Sequence, residues 1–184
     1  FNSYGLFTIV LMLLMLKLIF DRKSGDGFYG LRLKSVDFKA YWLLLLLMVP
    51  IIFAATLLPD IMDYYPTYKR TGGARFASYY QLSEWYSKII YESVYLVDFL
   101  NTELFFRGFL IIGLSKLMGK NVVLPMVAAY AVLHFGKPMG ETISSVFGGY
   151  ILGVIALYSR NIWGGVFIHG GIALLMELFA FWRQ

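Results

Sequence analysis

From Ala40 to Leu58 the chain runs for nineteen residues without a charge. A stretch of that length is long enough to cross a bilayer, and in lipid the backbone must satisfy its own hydrogen bonds, which a helix does. Further apolar segments are Tyr4 to Phe20, Ile89 to Leu117, Val122 to Phe135, Thr142 to Tyr158 and Ile162 to Trp182. The composition agrees: 59% of residues are hydrophobic and 15% charged, against roughly 45–50% and 25% in soluble domains. The fold class this predicts is all-α, a multi-pass transmembrane helical bundle of about six membrane segments.

The segments differ in kind. Tyr4 to Phe20 is interrupted only by Lys17 and followed at once by Arg22 and Lys23. Without a small-residue cleavage pattern it is expected as a retained helix, not a signal peptide. Gly25, Gly27 and Gly30 break the basic connection 21–39, and Pro50 predicts a kink in the second span. Ile89 to Leu117 is too long for a straight crossing, whereas Val122 to Phe135 is short and resembles a re-entrant segment. Gly149 and Gly153 have the small-xxx-small spacing of close helix packing. Eight of the fourteen tyrosines fall between Tyr64 and Tyr95, so the connection 59–86 is expected to hug the membrane surface. An ordinary structured loop is preferred there over a substrate-facing lid.

Sidedness follows from the basic residues. Connections 21–39, 116–121 and 159–161 share eight Lys and Arg, against four (Lys69, Arg70, Arg75, Lys137) in 59–86 and 136–141. The first set is expected to be cytoplasmic, with both termini outside. The net charge of +5 then belongs to loops beside lipid head groups. No basic stripe with interleaved aromatics lies outside the apolar runs, which argues against nucleic acid as a partner. The absence of cysteine excludes disulfides, thiolate metal sites and cysteine nucleophiles.

Within this apolar chain a few polar residues stand out. Glu103 and Arg107 are one helical turn apart and can pair. His134 and His169, the chain's two histidines, also lie in apolar segments. Ionisable groups at that depth need partners and usually line an interior site. A helix-locking ion pair with two structural histidines explains them. So does a hydrolytic site, in which a carboxylate and a histidine activate water and another donor holds the oxyanion. A third reading is a divalent metal such as zinc held by Glu103, His134 and His169, although no HExxH helix is present.

The order of the motifs resembles a known family. Glu103-Leu-Phe-Phe-Arg107-Gly108, Tyr130-Ala-Val-Leu-His134, Gly149-Tyr-Ile-Leu-Gly153 and His169-Gly-Gly-Ile-Ala173 are similar to the motifs of the CPBP family. Its members, also called the Abi family, include the type II CAAX prenyl endopeptidases and bacteriocin-processing proteins. The likeness spans Tyr86 to Trp182. It divides the chain into two N-terminal transmembrane helices with basic and aromatic connections (1–85) and a CPBP/Abi-like helical core (86–184). It implies an intramembrane peptidase site in an integral protein of a bacterial cytoplasmic membrane. By resemblance, Glu103 is the second glutamate of the family's Glu-Glu-x-x-x-Arg motif, Arg107 its arginine, His134 the water-activating histidine and His169 the first oxyanion donor.

Two positions depart from that pattern. The first glutamate is Thr102 and the final asparagine is Ala173. A threonine hydroxyl is no useful base near neutral pH, and alanine donates nothing. General-base help is worth roughly 10²–10⁴-fold and an oxyanion donor about 10²–10³-fold. Asp98 and Glu177, one turn from each vacated place, are displaced by about 5–6 Å along their helices and are poor substitutes. They are expected to be solvated near a helix end, or paired with Arg107 or a histidine.

The preferred reading is therefore a proteolytically silent member that binds a membrane protein partner, a peptide or lipid. The alternative is an active CAAX-type or leader-peptide endopeptidase with an altered site using Glu103 or Asp98 with His134, or a bound metal. A transporter is disfavoured because no inverted repeats or matching broken helices are present.

Overall fold

The computed structural model describes residues 2–20, 27–33, 36 and 38–183, without the side chains of residues 2–4 and 6. Arg22, Lys23, Gly25 and Lys34 of the first basic connection lie outside the described residues. Those described form helices and the connections between them, with no strand.

Helix α1 (Asn2–Phe20) and α2 (Phe38–Ala55), which runs through Pro50, precede three short helices, α3 (Pro59–Tyr64), α4 (Thr67–Arg70) and α5 (Gly73–Tyr79). The expected loop 59–86 is thus built of short helices, with Pro59 starting α3 and the left-handed Gly72 (φ 85°) leading into α5. Helix α6 (Glu84–Glu103) opens on Ser83, whose side chain accepts a bond from the Tyr86 amide, relieving one orphan donor of the first turn. The helix then widens into a π-helix (Leu104–Gly113), so that the Leu114 amide donates to Phe109 O, five residues back. After α7 (Ser115–Met118) and a 3₁₀ turn (Gly119–Val122) come α8 (Val123–Val132), α9 (Met139–Ser159) and α10 (Trp163–Arg183).

All six apolar segments of the sequence appear as helix. Four helical stretches are long and apolar enough to span a membrane: Phe38–Ala55, Glu84–Val132, Met139–Ser159 and Trp163–Arg183. The second comprises α6, the π-helix, α7, the 3₁₀ turn and α8, and α8 itself is only ten residues long, shorter than a full span. In α1 the apolar part is Phe7–Phe20.

The connections gather at two ends. At one, Trp163 Nε1 donates to Leu31 O (2.8 Å), Asn161 Nδ2 to Arg32 O (2.5 Å) and Arg160 Nη1 to Ser115 Oγ (2.6 Å). At the other, Tyr65 reaches Glu141. Connections 27–33, 115–122 and 160–162 therefore share one end, the grouping used for the charge count.

Small residues set the contacts that position the interior. A Cβ on Gly149 would lie 2.9 Å from the Tyr130 ring, and one on Gly153 2.6 Å from Met126 Cε. The α9 glycines thus seat α8 and fix Tyr130. At Gly108 a Cβ would lie 2.8 Å from Tyr29 O, so this glycine lets the buried Tyr29 close over the π-helix.

Candidate active site

Three elements bring the polar residues together. Glu103 ends α6, Arg107 follows in the π-helix, and both side chains are 0% exposed. Arg107 Nη1 lies 2.9 Å from Glu103 Oε1, a contact off the hydrogen-bond line, since no guanidinium nitrogen is aligned with an acceptor. The guanidinium carbon instead sits 4.3 Å from the centroid of the Tyr130 ring on α8, where a cation is attracted by the aromatic face. His169, on α10, places Nδ1 3.1 Å from the same Glu103 oxygen.

A carboxylate can only accept, so His169 Nδ1 carries the hydrogen and Nε2 is left to accept. Tyr130 supplies the donor, its hydroxyl lying 3.2 Å from His169 Nε2. A continuous chain, Tyr130 to His169 to Glu103, thus links α8, α10 and the end of α6, with Arg107 closing it at both ends. Gly165, one turn before His169, faces the other Glu103 oxygen so closely that any Cβ there would overlap the carboxylate.

His134 joins through its ring. Its centroid is 4.8 Å from that of Tyr130, and its Nδ1 lies 3.2 Å from Tyr130 O. The carbonyl accepts from Nδ1, which leaves Nε2 as the basic nitrogen. His134 lies in the turn past the last residue of the 84–132 stretch. Burial, then the nearby Lys137 charge, hold its imidazole below the ordinary histidine range and favour the neutral form.

Glu103, Arg107 and His169 are therefore in direct contact, and His134 is joined to them through Tyr130. Tyr130 itself, which the sequence offered only as the aromatic four residues before His134, lies at the centre. At the vacated positions, the Thr102 hydroxyl donates back to Asp98 O (2.9 Å) and Ala173 is buried without a polar atom.

Two expectations are corrected. Glu177 is neither solvated nor paired with Arg107 or a histidine: it is 1% exposed, and its Oε1 accepts from the Thr67 amide at 2.8 Å and from the Thr67 hydroxyl. The metal reading fails on geometry. Glu103 Oε1 is shared by Arg107 and His169, while His134 turns Nδ1 to a carbonyl. Among the described residues no three His, Asp or Glu side chains are grouped to hold a metal ion. No chemical step is therefore assigned to zinc.

The family model of type II CAAX prenyl endopeptidase Rce1-like proteins matches residues 84–175, half of the chain. The chain belongs to this family. The matched region begins where α6 begins and contains Glu103, Arg107, His134 and His169, with Thr102 and Ala173 as well. The match thus begins after α5 and ends two residues before Glu177. No curated protein and no solved structure matches the chain.

Proposed function

We propose that this chain is a proteolytically silent Rce1-like protein of a bacterial cytoplasmic membrane, acting as a subunit that binds a membrane partner or a peptide. The observation that carries this reading is the shared Glu103 Oε1, in contact with Arg107 and His169 at once. That oxygen is already engaged by a buried cation and an imidazole N–H, so it is not open to a water molecule. The neighbouring place holds Thr102, whose hydroxyl is committed to Asp98 O. His134 thus keeps a basic Nε2 with no described carboxylate partner for activating water, and Ala173 offers nothing to a developing oxyanion. The retained polar residues serve instead to tie three helices together in lipid, where an unmet polar group costs several kcal/mol.

The same geometry disfavours the endopeptidase reading with Glu103 Oε1 as base, since using that oxygen means breaking two buried contacts, and Oε2 is buried against Gly165. Extraction in a mild detergent followed by intact-complex mass spectrometry tests the proposal. A stoichiometric partner or an uncleaved peptide is expected. A lone chain that releases cleaved peptide products contradicts it.

A further inference from the structure

Between the start of α8 and the last turns of α9 lies a groove that the polar cluster does not use. Its volume is about 280 Å³. Lys120, Asn121 and Tyr158 line one end, and Leu124, Val154 and Leu157 line the body. Val154 and Leu157 pack against the core cluster that holds Ile111, Met126 and Ala156, which fixes that wall. Leu124 is 67% exposed and Tyr158 77%, so the groove opens on the outside of the bundle.

Its depth follows from the helix that forms its wall. Helix α9 is one of the stretches able to span a membrane, so its outward side meets lipid. A lysine and a tyrosine at the end of such a helix mark the level where hydrocarbon gives way to head groups. Tyr150 also lines the groove. It lies a little over two turns from Tyr158, about 12 Å deeper along the helix axis. The groove thus runs from head-group level into hydrocarbon, polar at the top and apolar below.

The charge at the polar end is one-sided. Lys120 belongs to the 3₁₀ turn and Lys116 to α7 just before it. Neither element carries a carboxylate, and α8 has none either. The one carboxylate of α9, Glu141, lies in its first turn at the opposite end, where Lys137 and Tyr65 engage it. The Asn121 amide adds two neutral donors. An anion at this end therefore meets donors, and no acid on the lining elements repels it.

We infer that this groove is a binding site for an anionic glycerophospholipid. Lys120 and Asn121 hold the phosphate, and one acyl chain lies along Leu124, Val154 and Leu157 toward Tyr150. A zwitterionic lipid can lay the same chain there, but its ammonium group meets Lys120 as a like charge. The site is on the lipid-facing side of the protein and does not depend on whether the chain cleaves peptides.

The test uses the full-length protein in mild detergent, with phosphatidylglycerol and phosphatidylcholine of identical acyl chains added in equal amounts. Native mass spectrometry counts the lipids retained. The protein is expected to keep one phosphatidylglycerol in preference to phosphatidylcholine. Lys120→Gln should lower that preference about fivefold, the weight of one basic residue beside an anionic lipid. Lys69→Gln, at an exposed lysine of the other end, should leave it unchanged. Leu124→Trp narrows the groove and should lower retention of phosphatidylglycerol. Excess glycerol 3-phosphate, a phosphate without an acyl chain, should not displace the bound lipid.

Equal retention of the two lipids by the native chain overturns the inference without recourse to any variant. So does a preference that Lys120→Gln leaves intact, or that Lys69→Gln weakens as much, since that is the general attraction of a basic protein. Displacement by glycerol 3-phosphate would give the polar end to a soluble anion and overturns the lipid site. Full retention in Leu124→Trp contradicts the acyl chain's place in the groove.

Discussion

Glu103 and His169, sixty-six residues apart in sequence, meet through Oε1 and Nδ1 at 3.1 Å. That contact joins the end of α6 to α10 inside the bundle, and Arg107 lies against the same oxygen. Without it, the His169 imidazole and the Arg107 guanidinium would keep only Tyr130 as a partner in this cluster.

Arg107→Leu is expected to leave Glu103 as a buried, half-compensated charge and to destabilise the fold by about 3–5 kcal/mol. The double variant Glu103→Gln with Arg107→Leu removes both charges and should cost less than Arg107→Leu by itself. Thermal unfolding in detergent, read as a double-mutant cycle, measures the coupling. Additive losses would contradict the pairing.

Tyr130→Phe keeps the ring beneath Arg107 and removes only the hydroxyl given to His169 Nε2. A loss of about 0.5–1.5 kcal/mol is expected. Tyr130→Ala should lose considerably more, since it also removes the ring from Phe106 (5.3 Å) and from His134 (4.8 Å). Equal losses would show that the ring carries no weight.

Gly165→Ala drives a methyl group into the Glu103 carboxylate. Overpacking of this kind typically costs about 1–3 kcal/mol, and here it also disturbs a buried charge. Gly148→Ala, where a Cβ meets nothing within 4 Å, is the matched control and should be close to neutral. A neutral Gly165→Ala would show that the carboxylate is free to move.

How much of this was legible in the sequence depends on the range of the interaction. The apolar runs fix the helices because length and composition act locally. Glu103 with Arg107 is a one-turn relation, and so is Tyr130 with His134. The π-helix over 104–113 was not legible, because LFFRGFLIIG satisfies a 3.6-residue period about as well as a wider one. Tyr130 could have been found, since an aromatic one turn before a buried histidine shares its face. Glu177 could not: its partner Thr67 is 110 residues away, and nothing in the α10 sequence marks a strap of short helices as its acceptor's target. The short segment Val122 to Phe135 was legible by its length alone, and α8 within it is a ten-residue helix.

His134 gives a pH dependence of definite sign. Unfolded, its imidazole titrates near about 6.5; folded, burial and Lys137 hold it lower. Between those values the unfolded state binds more protons, so stability falls as pH falls through and below the ordinary histidine range. His134→Gln should flatten the dependence of the melting temperature on pH between about 7 and 5. A melting temperature that rises as pH falls, with that rise lost in His134→Gln, would reverse the sign.

The central claim, that the polar cluster holds helices together and does no hydrolysis, is tested most directly by turnover. Purified protein in lipid bilayers, offered prenylated CAAX peptides and leader peptides with and without added zinc, should cleave none of them above the protein-free rate, and His134→Ala should look the same. Sustained cleavage by the native chain that His134→Ala abolishes would contradict the account.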